Sequence, residues 1–146
     1  MNHLKPRLIA AVAFLLACLF ISRLSEAADV VVVVNPSVTV RKLPGGTLRA
    51  IFGMRLLKWN DGKPIRVFVL DDNQPVHVAF CKEVLDLFPY QLRQSWDRLV
   101  FSGTGQAPIQ VASEEEILAS VAATPGAVGY LRRSMVDDRV NILSTK

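Results

Sequence analysis

Residues 30–34 are five consecutive valines set between Asp29 and Asn35-Pro36. β-branched side chains are stiff at χ1 and favour a pleated strand over a helix. A strand with one wet face would alternate apolar and polar residues. This run does not, so both of its faces should be covered. Pro36 lacks an amide donor and ends the ladder. The valine run is therefore expected to be an interior strand of a helix-flanked sheet, and the rest of the chain is read around it.

Upstream, Lys5-Pro6-Arg7 precedes the apolar segment Leu8–Ile21. A basic start followed by a short apolar run has the form of a secretory signal peptide. As a helix this run spans only about 21 Å, short of the roughly 20 residues that a membrane crossing usually needs. Ser25-Glu26-Ala27 offers small residues where a signal peptidase reads, so residues 1–27 are expected to be a signal peptide and 28–146 a single domain. Leu15-Leu16-Ala17-Cys18 also resembles a lipobox, which would place a lipid anchor on Cys18. The Ala27 site, which abuts the first strand, is the preferred reading.

That segment removes three cations and one carboxylate, leaving 14 basic and 12 acidic residues and a net charge of +2. The excess is small and no Lys/Arg block remains, so a nucleic-acid partner is not expected. One cysteine, Cys81, remains after Ala27, which rules out an internal disulfide and leaves folding to the apolar core.

Downstream, strands alternate with helices. Residues 37–46 read as a crossing loop, and Thr47 is expected to cap a short helix over 48–52 that Gly53 ends. Ile65–Leu70 reads as the second strand. Pro75 suits a first helical turn, and Val76, Phe80, Val84, Leu87 and Phe88 recur at helical spacing. Pro89 breaks that helix, and a second carries Leu92, Trp96, Leu99 and Val100 on one side. Residues 101–108 read as a loop in which Gly103-Thr104-Gly105 lacks the context of a phosphate-binding fingerprint. Ser113 followed by Glu114-Glu115-Glu116 is a helix cap, and Thr124-Pro125-Gly126 stops that helix. Residues 127–131 and 139–143 read as the last strands. The pattern implies an α/β fold with a small mixed or mostly parallel sheet flanked by helices.

Catalytic constellations are sparse. His77 is the sole histidine after the signal segment, so no multi-histidine metal centre and no cofactor are expected. His77 and Cys81, four residues apart, share a helical face. A nucleophile–base dyad would require an exposed thiol and an oxyanion site; a packed cysteine beside a partly exposed histidine is the simpler expectation.

From the first strand onward the chain resembles the phosphate-type periplasmic substrate-binding proteins of ABC transporters. The resemblance is carried by Val32-Val33-Val34-Asn35-Pro36, by Leu48–Gly53 leading to Trp59, by the strand–loop–helix ending in Phe80, and by Pro125–Tyr130. It implies one lobe of a type II periplasmic binding protein, whose two lobes enclose a ligand. It also implies an oxyanion held by an arginine and a Ser-Gly-Thr turn before the helix that ends at Phe80. Here the turn positions are Gln74, Pro75 and Val76, and the arginine position falls at Leu70 or Asp71. The hydroxyl donors are replaced, Pro75 removes an amide and Asp71-Asp72 add negative charge, so the loop is degenerate for its implied task.

The resemblance thus implies a non-catalytic periplasmic binding protein. Its ligand candidates are Asn35, Ser37, Thr39, Gln74, His77 and Thr104. The expected partner is a small oxyanion such as phosphate; the alternative is a protein partner or second copy that completes the half-cleft. Contact with a membrane would come only through a transport partner or a lipid anchor.

Overall fold

A computed structural model describes residues 29–145; the expected signal peptide and Cys18 lie outside the described residues. The order of elements is β1 (Val30–Val34), β2 (Lys42–Leu43), α1 (Gly45–Phe52), β3 (Arg66–Val69), α2 (Pro75–Ala79) running into a π-helical turn (Phe80–Val84), α3 (Pro89–Phe101), β4 (Ile109–Gln110), α4 (Glu114–Ala123), β5 (Ala127–Arg132) and β6 (Asn141–Thr145). They form one six-stranded sheet in the order β2-β6-β1-β5-β3-β4. β1 is antiparallel to both neighbours, while β2–β6, β3–β5 and β3–β4 are parallel. The sheet is mixed.

Every valine of β1 is buried, as a strand covered on both faces requires. One covering layer is α4. Gly129, opposite Val33 in the ladder, lets it approach so closely that a Cβ there would lie 2.9 Å from Ile117 Cγ2. The other layer is α1 and α2, backed by α3. Tyr130 stacks on Phe80 with centroids 3.9 Å apart, Phe52 meets Phe80 edge-on, and Trp96 donates its indole N–H to the Phe52 carbonyl at 2.7 Å.

Several boundaries differ from expectation. Thr47 does not cap α1. Pro44 holds the cap position, its carbonyl accepting the N–H groups of Thr47 and Leu48, so the helix starts through Gly45-Gly46. Residues 42–43 form a short edge strand rather than loop, 109–110 add another after the expected loop 101–108, and the last strand begins at Asn141. The helix expected to reach Phe88 widens at Phe80 and ends at Val84. Asp86 takes φ +54°, which breaks helical continuation and leaves Phe88 half exposed outside the helix. Helical spacing counts side chains but does not register the extra residue of a π turn. A break at 85–88 separates the two helices as expected, Pro89 itself opens α3, and α3 runs through Phe101, leaving Val100 exposed. Ser113 caps α4 as expected, accepting the Glu116 N–H. The Glu116 carboxylate reaches one residue past the cap, to the Ala112 N–H.

Candidate functional site

In a sheet with parallel strands, the carboxyl ends of those strands form the natural ligand edge. Here that edge is made by residues 70–74 after β3, 111–114 after β4, and Arg132-Arg133 at the end of β5. Reversed β1 brings Asp29 to the same side, where its carbonyl accepts the Arg133 N–H.

The six candidates do not converge. Asn35, Ser37 and Thr39 follow the end of β1, which runs against β5, so they stand at the opposite edge beside Gly126 and Ala127. The length of β1 separates the two edges by about 16 Å. The amide of Asn35 is consumed within the fold: Nδ2 donates to the carbonyls of Val121 and Ala122, and Oδ1 accepts the Ser37 N–H. The Ser37 hydroxyl accepts the Gly126 N–H. Thr39 is exposed. Thr104 lies in the loop before β4, bonded to Ser102. Gln74 does reach the ligand edge, where its side chain donates to the Ala112 carbonyl at 2.8 Å and ties the α2 start to the β4–α4 turn.

His77 is fully buried, not partly exposed as its place on a helix had suggested. It sits beneath the edge in a polar chain. The Tyr130 hydroxyl accepts the Leu70 N–H, and its own proton therefore goes to His77 Nδ1. This fixes the proton of the neutral imidazole on Nε2, which faces Cys81 Sγ at 3.4 Å and Asp72 Oδ1 at 3.7 Å. Burial depresses the His77 pKa, opposed by Asp72 and reinforced by Arg93, with Asp71 a smaller raising influence. Burial pushes the Cys81 thiol up to about 12, with Asp72 adding to the rise, and the Tyr130 phenol is also raised, chiefly by burial. A thiol so placed is not a nucleophile at neutral pH. The Cys81–His77 pair is thus a piece of core, which removes the dyad reading.

The edge itself is charged and internally paired. Asp72 accepts two hydrogen bonds from Arg93, both at 2.9 Å, and the guanidinium lies over Trp96, 4.9 Å from its centroid. Glu114 binds Arg132 through Nε, Nη2 and the backbone N–H. Asp29 holds Arg133 at 2.7 Å. Asp71 takes the Asn73 N–H and a longer bond from Gln110. Sequence spacing reveals neither bidentate pair: Arg93 lies 21 positions from Asp72 and Arg132 lies 18 from Glu114. Among the described residues no group of three or more His, Cys, Asp or Glu side chains converges as a metal site.

No protein-family model matches the chain, and no curated protein matches it either. Solved structures do. An ABC-type phosphate transport receptor from Vibrio cholerae aligns with a TM-score of 0.63 at 16% identity, covering 80% of this chain and 46% of its own. PstS from Borrelia burgdorferi aligns at 0.63 and 18% identity, covering 81% and 47%. A Clostridium perfringens protein with bound phosphate aligns at 0.64 and 20% identity, covering 82% and 46%. The chain has the α/β fold of one lobe of these structures, a mixed sheet flanked by helices. The chain spans less than half the length of these structures. In the loop before α2, Gln74 is turned onto the Ala112 carbonyl, Pro75 opens α2 without an N–H to offer, and Asp72 occupies Arg93.

Proposed function

We propose that this chain is an exported, non-catalytic binding module that works through contact with a protein partner and not by capturing a free oxyanion. The observation that carries the reading is the pairing at the ligand edge. Both Arg93 and Arg132 are held bidentately or better by carboxylates, and an oxyanion would have to displace those carboxylates while facing Asp71. A half-cleft also leaves any small ligand open to water, so little burial offsets that competition. Export rests on the N-terminal sequence: a basic start, a short apolar run, and small residues before Ala28. The location proposed is the periplasm, with cleavage after Ala27; N-terminal sequencing of the secreted chain tests the cleavage.

The alternative reading, a small-anion receptor, draws on the bound phosphate in the Clostridium perfringens structure. Titration calorimetry of the exported chain with phosphate and sulfate separates the two. The module reading predicts no saturable heat at micromolar anion. Saturable phosphate binding that Gln74→Ala abolishes would replace it with the receptor reading.

A further inference from the structure

A groove of about 450 Å³ lies at the other end of the sheet, between the segment 54–58 and the strand β4. Its floor is Ile65 and Val67, nearly inaccessible, and its rims are Leu57 (54% exposed) and Ile109 (47%), with Met54 and Pro108 between. The groove is built into the backbone. Ile65 donates its N–H to the Leu57 carbonyl at 2.9 Å, Lys58 bridges to Pro64, and Met54 turns the chain with φ +60°. Such a conformation costs a non-glycine residue on the order of 1 kcal/mol or more. Here it lifts Leu56 and Leu57 away from the core that Phe52 joins.

Charge identifies the occupant. Arg66 lines the groove, and Arg55 and Lys58 flank Leu56-Leu57; all three are exposed, and no carboxylate lines the groove. Among the described residues none of the three is ion-paired, whereas Arg93, Arg132, Arg133 and Arg139 all are. A second copy docking about a two-fold axis would set these cations against one another. A bilayer surface would meet the rims Leu57 and Ile109 but leave the recessed floor of Ile65 and Val67 unfilled. An acidic segment that projects leucine or phenylalanine side chains satisfies both the recess and the charge.

We propose that this groove docks an acidic amphipathic segment of a partner protein, with Ile65 and Val67 receiving an apolar anchor and Arg55, Lys58 and Arg66 its flanking carboxylates. The proposal rests on the protein-partner reading and names its surface. It is tested by selecting random 12-residue displayed peptides on the exported chain, then measuring the enriched peptides by fluorescence anisotropy. The expected peptides carry Asp or Glu beside Leu or Phe. Their affinity should fall roughly tenfold or more with Arg66→Glu and with Leu57→Glu, and should weaken with salt. Arg66→Gln serves as the milder variant, and thermal melts by circular dichroism establish that each variant folds.

Failure to enrich any peptide would overturn the proposal, as would enrichment of neutral or basic ones. Acidic peptides insensitive to both substitutions would remove the groove but leave a partner-binding module standing; that reading falls instead on the oxyanion titration. Sedimentation of the chain with vesicles of anionic phospholipid, or a dimer lost on Leu57→Glu, would assign the groove to a membrane or a second copy and overturn the peptide.

Discussion

The Tyr130 hydroxyl accepts the backbone N–H of Leu70 at 2.8 Å, in a place where both residues are fully buried. Parallel β3 has just ended there, and an unpaired amide at a buried strand end costs about 1–3 kcal/mol. Tyr130 solves this from β5, the neighbouring strand, and uses its remaining proton on His77 of α2. One hydroxyl thereby joins two strands and a helix beneath the ligand edge.

Tyr130→Phe leaves the Leu70 N–H and His77 Nδ1 without partners while preserving the ring stack on Phe80. Stability should fall by about 2–5 kcal/mol, the sum of two such penalties less some relaxation. Urea unfolding should show a lower midpoint with an unchanged slope. An unchanged midpoint would mean that neither group needs the hydroxyl.

His77 gives stability a direction with pH. Its folded pKa lies below the ordinary 6.5 because burial disfavours the cation, so the unfolded chain binds protons that the folded chain refuses. The stabilisation is full above pH 6.5 and is lost progressively as pH falls from there toward the depressed folded value. The hydrogen-bond pattern agrees: protonating Nδ1 would leave the Tyr130 hydroxyl proton facing another donor. Urea midpoints should decline from pH 7 to pH 5, and His77→Gln should flatten that part of the decline. An equal slope in the variant would assign it to carboxylates.

The valines of β1, the helix on each side of the sheet, and the Ser113 cap were all legible in the sequence, because each rests on local pattern or on burial of a whole face. The π turn at Phe80–Val84 was not, since it inserts a residue without altering composition. The candidate site was legible only in part. Gln74 stands at the carboxyl edge of the parallel strands, whereas Asn35, Ser37 and Thr39 stand at the opposite one, because strand direction is a property of topology. The apolar run of valines does not say that it would be the one strand reversed against its neighbours. The Arg93–Asp72 and Arg132–Glu114 pairs likewise depend on helix placement, which spacing along the chain does not encode.

Cys81 should be chemically silent in the folded protein. It is fully buried with its thiol raised to about 12, and residues 28–146 contain no other thiol. A thiol-specific disulfide reagent at pH 8 should label it only in denaturant, with a native rate that tracks the opening equilibrium. Rapid stoichiometric labelling without denaturant would reopen the possibility of reactive chemistry at this helix face.

Gly126 adopts φ +76°, and a Cβ there would lie 2.3 Å from the Pro64 carbonyl oxygen. Its own carbonyl accepts the Trp59 indole N–H and the Arg66 N–H. Gly126→Ala therefore combines left-handed strain with a backbone clash, where β5 starts beside β3. A loss of more than about 3 kcal/mol is expected, beyond the range of an ordinary glycine-to-alanine change. A thermal midpoint within a few degrees of the parent would contradict the close approach.

The proposed reading makes Asp72 the residue that opposes an anion at this edge. Asp72 consumes the Arg93 guanidinium in two hydrogen bonds, and that guanidinium also lies over the Trp96 ring. Asp72→Asn removes the competing carboxylate but leaves the arginine in position, so a bidentate oxyanion gains a ready donor fork. Because Asp97 and Asp71 still act on Arg93, the gain should be modest: phosphate binding with a dissociation constant on the order of millimolar, about −4 kcal/mol. Calorimetry should detect it in Asp72→Asn and lose it again in the Asp72→Asn/Arg93→Ala double variant. Absence of phosphate heat in the single variant would show that this ion pair is not what opposes an anion at the edge.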